Sequence, residues 1–264
     1  MFYSIGDVSK ILNISKEMIR YYEKQGALKP ARQEDNNYRS YSTMDVFFLM
    51  EMIRYQSLGL NITEINKLLL ENYMQHYSNY LSNYYQKLEK EVIFKITLKD
   101  RIKEMADRAK TSQLNLNHYW FKEVEEHELV FLCKGKNDNY GVIELKKENR
   151  DILFLNQNFT FYESMVVFNE TDENWYYAIN THYKNNLNIK MSDTIKQKKQ
   201  LCICTMIDMS EIGCFNRKLL APVLKYVEDH HMIIDGQIRG IIVCRGYQND
   251  KYQRIMEIQV PIKP

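Results

Sequence analysis

Proline and glycine are scarce in this chain, four and nine of 264 residues, and no glycines are spaced to make a loop that cradles a phosphate. The chain equally lacks a nucleophile elbow, a His-Glu-x-x-His pair and paired acids at helical spacing, so no enzyme activity and no cofactor are expected. Cysteine is sparse too. All five, Cys133, Cys202, Cys204, Cys214 and Cys244, fall in the C-terminal half, and an odd number without Cys-x-x-Cys spacing argues against a disulfide framework or a zinc site. Cys202 and Cys204 alternate onto one face of a predicted strand, where they form either half of a soft-metal site or, more commonly, a pair of buried small hydrophobes. No run of about 18 apolar residues marks a membrane span. Met1 to Ser4 lead straight into a capped helix rather than a secretory signal, so a cytoplasmic location is expected. Charge of either sign is nearly balanced, 36 basic against 34 acidic residues for a net +2. The sequence pI of about 8.1 is below the value of about 9 expected of a bare nucleic-acid-binding domain. Any anionic partner must therefore be met by charge concentrated in one place.

What is present starts at Tyr3. Ser4, with Asp7 three residues on, can cap a first helix, and Ser15 can cap a second after a turn at Asn13. That is helix-turn-helix spacing. The second helix turns Ser15, Lys16, Glu17 and Arg20 outward, while Ile14, Met18, Ile19 and Tyr22 combine core packing with an edge that can meet a phosphate. Residues 28–32 run extended, and Asn36 and Asn37 suit the left-handed conformation of a tight hairpin. The hairpin strands carry Arg32, Tyr38, Arg39 and Tyr41, whose guanidinium forks and phenol hydroxyls can bond phosphate oxygens without reading a base. In a helical protein-interaction module the same arginines would be solvated surface charges.

These residues resemble the MerR family of transcriptional regulators. The carriers are Tyr3-Ser4-Ile5-Gly6, Ile19-Arg20-Tyr21-Tyr22-Glu23, Gly26-Ala27-Leu28-Lys29-Pro30-Ala31-Arg32, Asn37-Tyr38-Arg39-Ser40-Tyr41 and Leu58-Gly59-Leu60-Asn61-Ile62-Thr63-Glu64-Ile65, all in order and in register. Departures are Ala27 for a leucine, Asn37 for a turn glycine and Met18 for a threonine. The resemblance implies a winged helix-turn-helix over residues 1–73 that binds double-stranded promoter DNA.

Residues 74–114 contain no glycine or proline and read as one long helix. Leu81, Tyr85, Leu88, Val92, Ile102, Ala106 and Ala109 recur at steps of three and four, a seam that Lys95 and Lys99 interrupt. In MerR relatives this helix forms an antiparallel coiled coil, which implies a homodimer; metal-sensing relatives place cysteines at its end, where this chain has none.

Beyond 115 the pattern changes to short strands, predicted at 118–133, 140–147, 151–156, 160–168, 201–207, 237–246 and 253–261. Two helices are predicted among them, one capped by Thr171 and running past Trp175, Tyr176, Ile179 and His182, the other following Gly213 through Leu219, Val223 and Val227. The class is α+β with a mainly antiparallel sheet. Residues 115–264 resemble the GyrI-like effector domain of BmrR-like multidrug regulators, most clearly at the C-terminal end. That resemblance implies a small-molecule inducer, lipophilic cations held by Glu257, efflux or detoxification targets, and promoter distortion that lets RNA polymerase engage. Strand alternation sets Glu257 with Ile255 and Gln259 opposite Met256, Ile258 and Val260. Tyr162, Trp175, Tyr176 and Tyr247 are the candidate aromatic walls around it. Two alternatives stand: a hydrolytic second domain, or a DNA-organising dimer without a ligand.

Overall fold

The computed structural model describes residues 1–32, 37–70, 74–112, 114–155, 157–248 and 250–263. The chain forms two compact units, Met1–Glu89 and Lys90–Pro264. The division falls inside the long helix rather than at either of its ends.

In the first unit, Phe2–Tyr3 (β1), Ala31–Arg32 (β2) and Arg39–Ser42 (β3) make a small antiparallel sheet with β3 in the centre. Helices Ile5–Leu12 (α1), Lys16–Lys24 (α2), Thr43–Ser57 (α3) and Ile62–Leu70 (α4) pack around it. Helix starts follow the predicted caps. Ser4 and Asp7 form a reciprocal capping box, and the Ser15 hydroxyl accepts from the Met18 amide. Asn13 closes the turn between α1 and α2 in the left-handed region at φ 52°. Asn37 sits at φ 56°, as the hairpin reading requires; Asn36 lies outside the described residues. The long helix, Met74–Ser112 (α5), begins with tyrosines three and four apart that lie on one face. Tyr77 bonds the Tyr55 hydroxyl at 2.5 Å, and Tyr84 donates to the Leu58 carbonyl at 2.8 Å. Leu81 is half-buried, while the other proposed seam residues Tyr85, Leu88, Val92 and Ile102 are exposed.

In the second unit, nine strands among the described residues form one antiparallel sheet. They are Tyr119–Val124 (β4), His127–Lys136 (β5), Asn139–Tyr140 (β6), Tyr162–Phe168 (β7), Glu173–Asn180 (β8), Ile195–Gln197 (β9), Gln200–Asp208 (β10), Arg239–Gln248 (β11) and Lys251–Pro261 (β12). The order is β4-β10-β12-β11-β7-β8-β5-β6, with β9 against β5. Helices Lys147–Leu155 (α6), Thr181–Asn186 (α7) and Ala221–Asp229 (α8) complete it. Val223 and Val227 of α8 bury the face that carries Val166, Trp175, Met256, Ile258 and Val260. The opposite face carries Leu129, Met165, Val167, Tyr176 and Ile241. Gly240 sits where a Cβ would fall 2.3 Å from Met256 Sδ, so glycine lets that methionine fill the core.

The structure corrects four element predictions, the first being the single strand at 118–133, which is β4 and β5, apart in the sheet. Residues 151–156, predicted as a strand, belong instead to α6 up to Leu155, because the residues that go inside, Asn149 and Leu153, are four apart. The strand predicted at 140–147 ends at Tyr140. The helix predicted from Thr171 through His182 is β8 followed by α7, and Asn180 rather than Thr171 provides the cap. Both faces of β8 are buried, so its alternation is hidden in a continuous apolar run. The second predicted helix, after Gly213, is a 3-10 turn leading into α8.

A buried ion cluster lies at the start of β7. Burial raises the Glu163 carboxyl, but the guanidiniums of Arg108 at 2.6 Å and Arg101 at 2.9 Å outweigh it and hold the pKa at about 2. A depressed carboxylate stabilises the fold above its ordinary pKa of 4.5, and that contribution is lost as pH falls through about 2. Unfolding free energy should therefore decline by roughly 3 kcal/mol across this window. Both tryptophans, Trp120 and Trp175, lie in this unit, so their fluorescence during denaturant titrations reads it alone. Glu163→Gln should lower stability at neutral pH and flatten the decline; an unchanged slope would assign the acid sensitivity elsewhere.

Candidate nucleic-acid interface and C-terminal cavity

Helix α2 presents Ser15, Lys16, Glu17 and Arg20 to solvent, as its amphipathic pattern predicts. Glu17 stands 3.9 Å from Arg20, both well exposed, a pairing of little energetic consequence. Two predicted phosphate contacts are corrected. Tyr22 is fully buried, its hydroxyl donating to Gln56 Oε1 at 2.5 Å, because it lies three residues after core residue Ile19 on the same helix face. Tyr41 is also fully buried and donates to Glu23 Oε1. Burial, followed by the bond to Glu23, pushes its phenol pKa up, so it stays a neutral donor.

Glu23 also accepts from Arg39 Nε at 2.7 Å. One carboxylate thus fastens β3 to α2. The Arg39 side chain is 38% exposed and only its Nε is used by Glu23, so its two terminal nitrogens keep a route to a phosphate. Arg32 and Tyr38 lie exposed on the hairpin, with Arg32 Nη1 donating to the Asn37 carbonyl at 3.3 Å. The sequence reading missed Tyr21 and Lys24, both exposed on α2. Lys16, Arg20 and Lys24 recur every four residues as a basic stripe, a periodicity that was available in the sequence.

In the second unit the proposed ligand set is not assembled. Glu257 lies on the face opposite Trp175 and is 2% exposed. Its carboxylate accepts from Lys122 Nζ and from Gln259 Nε2, each at 2.7 Å, with Arg108 Nε at 3.9 Å. It is a neutralised buried group rather than an unpaired anion. Because β8 is a strand, Trp175 and Tyr176 point to opposite faces. Tyr162 is buried and Tyr247 is 78% exposed near a hairpin end. Cys202 and Cys204 are buried, and burial pushes both thiols up. Cys202 Sγ accepts from Arg239 Nη2 at 3.4 Å.

A cavity of about 560 Å³ does open in this unit, on the Trp175 side of the sheet. Its walls include Trp175, Tyr177, Tyr140, Phe154 and Ile242, and it is also lined by Arg150, Arg245 and Arg254. Arg254 is buried and locked to Asp138 by two bonds of 2.8 and 2.6 Å. Burial, then the bond to Asp138, push Tyr140 up to about 12.

The MerR HTH family regulatory protein profile matches residues 3–72. The ZntR homolog of Haemophilus influenzae, an HTH-type transcriptional regulator, is 32% identical over 93 residues, which are 35% of this chain and 69% of that protein. The chain belongs to the MerR family. The heavy metal-dependent transcription regulator 2 of Rhizobium meliloti (strain 1021) is 39% identical over 66 residues, 25% of this chain and 45% of that one. The chain spans about half the length of the first such curated relatives. Among solved structures, an EcmrR–DNA complex aligns over 99% of both chains at 20% identity, with a TM-score of only 0.38. As a MerR-family protein, the chain has its α2 stripe and hairpin within the matched region, whereas the cavity lies outside it.

The Glu257 pairing is directly measurable. Lys122→Met strands a buried carboxylate and should cost about 2 kcal/mol in urea denaturation, less than a fully buried pair because Lys122 is partly exposed. Adding Glu257→Gln should recover part of that loss. Additive losses would show that the two groups are energetically independent.

Proposed function

We propose that the chain is a homodimeric transcriptional regulator that grips promoter DNA through α2 and the β2–β3 hairpin and reads a small molecule in its C-terminal unit. The observation that carries the DNA reading is the concentration of exposed cations on these two elements in a chain of net charge +2: Lys16, Arg20 and Lys24 on the helix, Arg32 and Arg39 on the hairpin. A helix of this kind enters the major groove, where its side chains reach base edges, while the hairpin arginines meet phosphates and set the register. One such unit reads only a half-site, so a two-fold dimer joined along the exposed apolar residues of α5 reads both halves of a palindrome. Following the family resemblance, the dimer would activate efflux or detoxification genes by bending the promoter so that RNA polymerase engages both of its elements. The cost of bending depends on sequence, which adds specificity at base pairs the protein does not touch.

A cavity of about 560 Å³ supports ligand sensing over a purely DNA-organising dimer. A lipophilic cation at Glu257, which the resemblance suggests, would first have to displace Lys122. Against the hydrolytic alternative, Lys122 and Gln259 hold Glu257 as a structural acceptor.

The DNA reading is tested with a duplex selected by the full chain from a randomised pool. Arg39→Ala should weaken binding to selected and unselected duplexes alike and reduce the slope of log affinity against log salt by about 0.9. Arg20→Ala should instead cost about 1–3 kcal/mol on the selected duplex only. Filter-binding titrations showing native affinity in both variants would refute the interface. For the dimer, replacing Leu88 and Val92 together by glutamate should give monomers in sedimentation velocity and remove cooperative operator binding. A variant that remains dimeric would place the interface elsewhere.

A further inference from the structure

The C-terminal cavity has the wrong electrostatics for a cation. Three arginines line it, and among the described residues only Arg254 forms an ion pair with a carboxylate. Asp138, which answers it, also accepts from the amides of Gly213 and Phe215 at 2.9 and 3.0 Å and from the Tyr140 hydroxyl at 2.9 Å. That carboxylate has no acceptor capacity left over for the others. Among the described residues Arg150 and Arg245 pair with no carboxylate; Arg245 Nη2 donates to the Ser164 hydroxyl at 3.0 Å, which carries no charge. Glu144, whose amide donates to the carbonyl of the lining residue Leu132 at 2.7 Å, brings one carboxylate near the cavity and offsets no more than one of the two. The lining of the cavity thus holds three guanidiniums and, among the described residues, no carboxylate.

Its remaining walls are aromatic and apolar. Tyr140 meets Trp175 edge-on at 5.3 Å, and Phe159 links Phe154 at 4.9 Å to Tyr177 at 5.0 Å. Phe154, Ile143 and Ile212 line the cavity yet stay exposed, apolar surface that a folded chain normally covers. The volume suits one drug-sized molecule.

We propose that this cavity binds a flat aromatic molecule carrying an anionic group, such as an aromatic carboxylate or sulfonate. Trp175, Tyr177 and Phe154 take the ring system, and Arg150 and Arg245 take the anion. Planar guanidiniums suit both tasks, forking onto an oxyanion while their faces stack on rings. The assignment rests on the reading of this unit as the sensor of the regulator and specifies the class of molecule sensed.

Three probes, with benzoate as a competitor, test it on the full chain. 1-Anilinonaphthalene-8-sulfonate and N-phenyl-1-naphthylamine share one ring system and differ in the sulfonate; tetraphenylphosphonium supplies the opposite charge. In fluorescence titrations the sulfonate should bind one site per chain about fivefold or more tightly than its neutral counterpart. Arg150→Met and Arg245→Met should each weaken the sulfonate alone, and together should make the two naphthalenes equal. Both arginines are exposed, and unchanged tryptophan emission would confirm that the variants fold. Equal affinities in the native chain, equal losses for both naphthalenes, or displacement of the sulfonate by tetraphenylphosphonium more readily than by benzoate would overturn the proposal. Operator affinity, measured separately with and without saturating sulfonate, distinguishes the two readings. A sulfonate preference that leaves DNA binding unaltered upholds the ligand class and counts against the sensor role.

Discussion

Strand β12 is buried on both faces from Arg254 to Pro261 and yet carries Arg254, Glu257 and Gln259. A buried polar group that lacks a partner costs a kilocalorie or more, and a buried charge costs several, so each of these three must be answered by another element. Asp138 answers Arg254, Lys122 answers Glu257, and Arg239 donates to Gln259 at 2.9 Å. These partners come from the β5–β6 turn, from β4 and from β11. The strand thereby fixes the positions of elements distant in sequence, and its alternation decides which chemistry each face of the sheet receives. One face holds the carboxylates Glu257 and Glu163 among arginines and a lysine. The other holds the aromatic cavity, with Arg254 already neutralised at its base.

The N-terminal unit applies the same rule with one residue. Glu23 takes both the Tyr41 hydroxyl and Arg39 Nε, so α2 and the hairpin are held in one orientation by a carboxylate that is mostly buried. Tyrosine at 22 and 41 fills the core and spends its hydroxyl internally. Charge is left to lysine and arginine on the surface, where long side chains keep it in water. A nearly neutral chain can then present one cationic surface without excess charge elsewhere.

Much of the first unit was legible in the sequence because its signals are local. Caps at Ser4 and Ser15 and the left-handed turn residue Asn37 act within four residues of themselves, and the structure has them where they were expected. Tyr22 was misjudged although its phase relative to Ile19 was available, because a phenol suits a core and a phosphate equally well. In the second unit, β8 and α6 were misassigned for a different reason. A strand buried on both faces has no amphipathic period to detect, and a two-turn helix in which Leu153 is the one fully buried apolar residue among those described scarcely has one either.

The sequence by itself determined the N-terminal helices and hairpin of this MerR-family protein, the α+β class and the alternation that sets Glu257 opposite Met256, since each follows from contacts between near neighbours in the chain. Only the tertiary structure decided what lies against those residues. Lys122 and Glu257 are 135 positions apart, and Arg254 and Asp138 are 116 apart. No periodicity carries information over such distances. Whether a buried carboxylate waits for a ligand or is already paired, and whether an arginine beside a cavity has charge to spare, depends on which distant strand the sheet brings alongside it.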